Sequence, residues 1–240
     1  MGQANTLVAV PNSSSVYTNP AGIGFLSTSS ISSGYYKHLE IEGFNTVGIW
    51  GNLIKQKVGF GFSIDKFGDQ LYRESRIGVA VSKKIDRISF GVKISYLNTG
   101  IKDLSSRQTI LAEFGIITML SKKIFVGFQA INLTRAQLYD SQYLPTVLSL
   151  GLCFKPATKM NITSQIDYNI INKPTVRIGM KYIPKENFEI ISGVNPYINS
   201  IFFGFSFFVK KYNFTYATSI NPGLGLSNQI SLTLNLKNKK

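Results

Sequence analysis

Few side chains in this 240-residue chain could carry out covalent chemistry. It has a single histidine, His38 in "YYKHLEIE", and a single cysteine, Cys153 in "SLGLCFK". A histidine general base needs a nucleophile and an orienting carboxylate beside it, and no GxSxG elbow accompanies His38. One histidine and one cysteine cannot complete a transition-metal ligand set, and no acidic calcium loop occurs. We therefore expect no catalytic residue, no metal and no cofactor. Cys153 reads as a small strand residue facing the interior, and a lone cysteine excludes a disulfide within the chain. The glycines Gly59, Gly61 and Gly91 would need a following helix to cradle a phosphate, so they read as packing space. The Asn-x-Ser/Thr sequons at Asn12, Asn132, Asn161 and Asn213 carry little weight. That leaves charged residues set singly into apolar stretches: Lys93, Glu113, Asp167, Arg177, Lys181 and Glu189. What they do depends on which face of which element they occupy.

The elements show a period of two. "KVGFGFSI" sets Val58, Phe60, Phe62 and Ile64 against Lys57, Gly59, Gly61 and Ser63. "RISFGVKISY", "VRIGMKY", "IFFGFSFFV" and "ISLTLNL" alternate in the same way, as half-buried strands do. One face is bulky and apolar, and the other is glycine, serine and an occasional charge. A soluble sandwich would turn Lys, Glu and Thr to water on its second face. Small and polar residues inside with apolar residues outside is instead the pattern of a transmembrane β-barrel. The six charged candidates then face the lumen, where we expect them to pair across the interior, since buried charges are rarely left alone. A pathway lined by them is the functional alternative.

Composition fits this reading. Hydrophobic residues make up 44% and charged residues 16%, below the roughly 25% of ordinary soluble domains. No run of about 18 apolar residues is present to make a transmembrane helix. The net charge of +14 raises nucleic acid or an anionic membrane surface as partners. The lysines, however, sit as pairs between apolar strands (Lys83-Lys84, Lys122-Lys123, Lys210-Lys211), and no nucleic-acid-binding motif appears, so nucleic acid is not expected. "MGQANTLVAV" lacks the charged and apolar regions of a signal peptide.

About fourteen strands can be drawn: 31–41, 46–53, 57–66, 76–83, 87–97, 108–119, 124–132, 146–154, 160–170, 175–183, 188–194, 200–209, 212–219 and 228–237. The number is even, as bacterial single-chain barrels require. A nine-residue strand rising about 3.3 Å per residue and tilted about 40° spans roughly 23 Å, close to the apolar band of an outer membrane. Connections alternate between short lysine-rich turns ("IKQK", "SKKIDR", "LSKK", "VKKYN") and longer stretches ("DKFGDQLYRES", "NTGIKDLSSRQ", "LTRAQLYDSQYLP"). We expect the lysine turns and both chain ends on the periplasmic side. On the opposite loop rim, Tyr72, Tyr139, Tyr143 and Tyr197 are candidate partner contacts, because exposed tyrosines anchor interfaces.

One stretch is more specific. "GQANTLVAVPNSSSVYTNPAGIGFL" runs through small and polar residues to an aromatic and then Asn19-Pro20-Ala21-Gly22, where Asn-Pro breaks regular structure. It resembles the amino-terminal hatch of the PorV/PorQ family, outer-membrane proteins of the Bacteroidota related to the FadL fatty acid transporter. "NPGLGLSNQISLTLNL" is similar to that family's closing hairpin. The chain departs from the family in its short loops and in ending with "NLKNKK" rather than an aromatic residue. The resemblance implies an all-β, single antiparallel up-and-down barrel of about fourteen strands, with residues 1–30 as hatch and 31–240 as barrel. It also implies a non-enzymatic role in type IX secretion: docking to a large outer-membrane translocon barrel and other secretion-system proteins, or contacting secreted cargo, in contact with membrane lipid. Two alternatives stand beside it. One is a FadL-like outer-membrane transporter of hydrophobic compounds, against which the polar inner faces weigh. The other is a periplasmic plug barrel docked on a larger secretion pore.

Overall fold

The computed structural model describes residues 2–104, 106–139, 142–169 and 173–236, without the side chains of Tyr139 and Gln142. Sixteen strands follow one another: β1 (Ser29–Lys37), β2 (Asn45–Lys55), β3 (Val58–Gly68), β4 (Tyr72–Ile85), β5 (Ile88–Ile101), β6 (Arg107–Ser121), β7 (Ile124–Ile131), the short β8 (Gln137–Tyr139) and β9 (Gln142–Tyr143), β10 (Val147–Ala157), β11 (Met160–Asn169), β12 (Thr175–Lys185), β13 (Phe188–Asn195), β14 (Ser200–Val209), β15 (Tyr212–Asn221) and β16 (Gly225–Leu236). Fourteen of them form a closed antiparallel barrel, and β8 with β9 makes a separate hairpin. Closure comes from β1, which pairs with β16 from Ser29↔Leu236 to Lys37↔Asn228 and with β2 on its other side. The sheet thus has no free edge, the condition a sheet must meet to sit in hydrocarbon. This is an outer-membrane type barrel.

The period-two reading translates directly into two walls. Phe60, Phe62 and Ile64 on β3, and Ile201, Phe203, Phe205, Phe207 and Val209 on β14, all point outward and are 41–53% exposed. Exposed tyrosines ring this apolar belt: Tyr35 and Tyr168 toward the loop rim, Tyr182 and Tyr212 toward the lysine turns. Amphipathic rings suit the two interfaces of a bilayer. The inner wall carries Gly, Ser, Thr, Asn and Gln, among them the buried Ser63, Ser82, Ser89, Ser95, Thr163 and Gln165.

The turns at the two rims differ as the sequence indicates, with one correction. Two residues join β2–β3, β4–β5, β6–β7, β10–β11, β12–β13 and β14–β15. Gln56, Asp86 and Lys210 take left-handed φ values of 58°, 48° and 55° in these turns, as tight hairpins demand. The expected long loops after Asp65 and Asn98 are not there. β3 and β4 pair out to Gly68↔Arg73, leaving residues 69–71 as the turn, and β5–β6 pair out to Thr99↔Arg107. Hydropathy fades where the wall rises above the apolar belt, but the hydrogen-bond ladder continues. Asp69 closes the β3–β4 turn, its Oδ1 accepting from the amides of Leu71 (2.8 Å) and Tyr72 (3.1 Å). Those bonds hold its carboxyl below the usual carboxylate range.

Candidate functional site in the lumen

Residues 2–28 precede the first strand and run through the barrel interior. They contain one helical turn, Ser15–Thr18, and a 3-10 segment, Pro20–Phe25. An irregular backbone inside a barrel leaves amides and carbonyls in need of partners, and the small polar inner face supplies them. Arg177 donates to the carbonyl of Ala4 (3.0 Å), Ser89 to that of Ala21 (2.7 Å) and Asn52 to that of Ser13 (2.6 Å). Gln165 accepts from the amide of Val8 at 3.2 Å.

Asn19 does most to fix this segment. Its carboxamide nitrogen donates to the carbonyls of Val8 (2.8 Å), Phe128 (3.1 Å) and Ile116 (3.3 Å), and its oxygen accepts from the amide of Ala21. One side chain therefore ties two parts of the segment to β6 and β7. Asn19, Pro20, Ala21 and Gly22 are all buried. The wall they press on is glycine because nothing larger fits. A Cβ on Gly115 would strike the Asn19 carboxamide, and one on Gly91 the backbone of Pro20 and Ala21. Apolar contacts complete the seal. Ile23 and Val16 pack with Trp50 and Ala80, while Ala21 packs with Ile117 and Cys153. Several of these inner apolar side chains (Ile117, Leu97, Leu111, Phe125, Phe202) lie on faces whose residues read as polar in sequence.

The six lumen charges form three ion pairs, each between neighbouring strands rather than across the interior. Lys93 on β5 and Glu113 on β6 are direct register partners, 3.3 Å apart, with side chains 1% and 4% exposed. Gln129 donates to the other Glu113 oxygen. Arg177 pairs with Asp167, which also accepts from Ser149 and Gln165. Lys181 meets Glu189 at 3.0 Å. The inserted segment fills the centre, so opposite walls cannot reach one another.

Above the segment, toward the loop rim, the lumen opens into two cavities that share Asn5, Tyr17 and Thr18 as floor. One, about 470 Å³, is bounded by Ser149, Gln165, Asp167 and Arg177. The other, about 320 Å³, is bounded by Tyr36, Thr46, Trp50, Asp65 and Arg76. Over the second stands an aromatic cluster. Tyr36 stacks on His38 with ring centroids 3.7 Å apart, and Phe67 meets His38, Phe44 and Tyr72 edge-on. His38 Nε2 lies 2.8 Å from Thr46 Oγ1, and burial holds its pKa below the ordinary value.

The rim tyrosines divide. Tyr143 and Tyr197 are exposed, at 55% and 54%. Tyr72 is a correction: it is half-buried, its ring packs on Phe67 and its hydroxyl donates to Glu74. Its place on an extended β4, rather than in a loop, explains the difference. The Tyr139 side chain lies outside the described residues. A residue that sequence reasoning passed over organises the longest rim connection, 132–146. Asn132, 1% exposed, donates to the carbonyl of Leu144 (2.7 Å) and accepts from the amide of Ala136 (2.9 Å). This folds Ala136, Leu138 and Leu144 onto Leu97 and Leu111 of the inner wall.

No family model matches the chain, and no curated protein does. Solved structures do. The Pseudomonas putida toluene transporter TodX aligns with a TM-score of 0.72 over 98% of this chain and 97% of its own, at 11% identity. A Pseudomonas aeruginosa FadL homologue aligns with a TM-score of 0.66 over 98% and 97%, at 10% identity. The fold is that of a FadL-like outer-membrane barrel.

Proposed function

We propose that this chain is a non-enzymatic outer-membrane barrel that carries small hydrophobic compounds inward from the loop rim, with the lysine turns facing the periplasm. The observation that carries this reading is the lumen itself: cavities open toward the loop rim, beneath an aromatic cluster, and end on an inserted segment. The full-length likeness to a toluene transporter and a FadL homologue supports it. Passage then requires residues 2–28 to shift.

The geometry offers a direct test. A Cβ at Gly151 would lie 3.3 Å from the Cβ of Val8, close to disulfide reach. In a Cys153→Ala background, Val8→Cys with Gly151→Cys should lock the segment to β10. Uptake of radiolabelled toluene into lipopolysaccharide-containing vesicles should exceed that of protein-free vesicles, fall to their level on oxidation and return on reduction. Equal uptake with and without the protein would contradict the reading.

A second reading has its own observation. Asn19, Pro20, Ala21 and Gly22, which carry the PorV/PorQ resemblance, are wholly consumed in closing the lumen. A closed barrel suits a component of type IX secretion that acts by docking to a large translocon barrel or to cargo. Pull-down of the tagged protein in gentle detergent should then recover a much larger barrel in near-equal amount. Recovery of the protein alone would remove this reading.

A further inference from the structure

The smaller of the two loop-side cavities is chemically unlike the larger one. In the larger, the Asp167–Arg177 pair serves the wall: Asp167 is engaged by Arg177, Ser149 and Gln165, which leaves Arg177 Nε as the unpartnered atom of that group. In the smaller, Asp65 of β3 and Arg76 of β4 are direct register partners that both face the cavity. They are absent from the ion pairs closer than 4.0 Å among the described residues.

Three buried polar atoms around this space have no hydrogen-bond partner, Asp65 Oδ1, Arg76 Nε and Trp50 Nε1, while the Tyr17 hydroxyl engages the Asp65 carboxyl. Trp50 is 6% exposed. Buried polar groups are paired in nearly all native structures, so three together at one cavity call for a specific account. Each lacks a protein partner, a deficit that an occupant of the right chemistry would remove.

The walls describe that occupant. Tyr17 stands edge-on to Trp50 with centroids 5.5 Å apart, and Tyr36 closes the space toward the rim. Flat aromatic faces suit a ring. One carboxylate opposite one guanidinium presents no net charge, so a neutral guest is favoured over an anion or a cation. The orphaned groups include N–H donors and a carboxylate acceptor, so the guest needs a substituent that both accepts and donates.

We propose that this chamber binds a small neutral aromatic compound bearing one such group, a phenol or a primary aromatic amide, in preference to the bare hydrocarbon. The inference rests on the transporter reading above and narrows its cargo. A ring without the substituent would leave the three atoms unpartnered, and sites of that kind reject apolar analogues.

Trp50, the single tryptophan of the chain, supplies the readout. The full chain in detergent is titrated with benzamide, phenol, toluene and benzoate while Trp50 emission is followed. Benzamide and phenol should give saturable changes at concentrations about tenfold below those needed for toluene or benzoate, the scale of one hydrogen bond to a charged group. Asp65→Asn and Arg76→Gln should each bring benzamide close to toluene, with toluene itself unchanged. Asp65→Asn, nearly isosteric, keeps the test valid if Arg76→Gln does not fold. Equal response to benzamide and toluene, or no response to any of the four, would overturn the proposal. Toluene uptake by the same preparation in vesicles separates the two readings. Uptake without preferential benzamide binding removes this chamber's selectivity alone, and absence of both removes the transporter reading as well.

Discussion

The two levels of the lumen solve opposite problems with the same alternating wall. At the level of Asn19 the inner face is stripped to glycine, and an irregular strip of chain fills the bore with the Asn19 carboxamide fully hydrogen-bonded. One level up, around Tyr17, the inner face carries Thr46, Trp50, Asp65 and Arg76, the bore is unfilled, and polar atoms lack partners. Close packing with satisfied polar groups is what a protein does where only stability is at stake. Open space with unsatisfied groups is tolerated where something else must enter. The comparison therefore assigns closure to the lower level and recognition to the upper.

The sharpest way to break this comparison is to attack the closed level. Glu113→Ala leaves Lys93, 1% exposed, without its partner, and loss of one member of a buried pair costs about 3–5 kcal/mol. The midpoint of urea unfolding should drop accordingly, whereas the same treatment of the half-buried Asp65, which has no cation within 4.0 Å among the described residues, should cost less. Gly91→Val forces a branched side chain against the Pro20–Ala21 backbone. Overpacking of about 1–3 kcal/mol should appear as protease cleavage within residues 2–28, with the barrel intact. At the rim, Asn132→Ala should free the connection 132–146, at a cost of about 1–2 kcal/mol for the lost buried hydrogen bonds, seen as faster amide exchange at Ala136 and Leu144. The smallest effect concerns His38. Burial lowers its folded pKa, so the folded state binds its proton less readily than the unfolded chain. The stabilising difference is present at neutral pH and is lost as pH falls below the unfolded value of about 6.5. An NMR titration of the His38 ring should give a midpoint below that of a free peptide.

How much of this was legible follows from which physical signal each part emits. Alternation is a direct consequence of strand geometry, so β3, β5, β12, β14 and β16 could be drawn from "KVGFGFSI" and its counterparts. The closing segment was also visible, because Asn-Pro cannot continue regular structure. The chamber was not. Asp65 and Arg76 lie at the facing ends of the strands drawn as 57–66 and 76–83, on either side of a stretch that reads as loop because polar residues crowd the strand ends beyond the apolar belt, and their register emerges only once the ladder is seen to continue to Gly68↔Arg73. Asn132 was hidden for a different reason: a buried asparagine that organises a loop looks like any asparagine in a turn. Ion pairing between neighbours rather than across the lumen likewise depended on knowing that the bore was filled.

The central claim, a lumen closed by residues 2–28, is most directly tested by single-channel conductance in a planar bilayer, comparing the full chain with one lacking those residues. The account predicts no steady open pore for the full chain and a stepwise, ohmic conductance for the shortened one. A steady pore of equal size in both would contradict it.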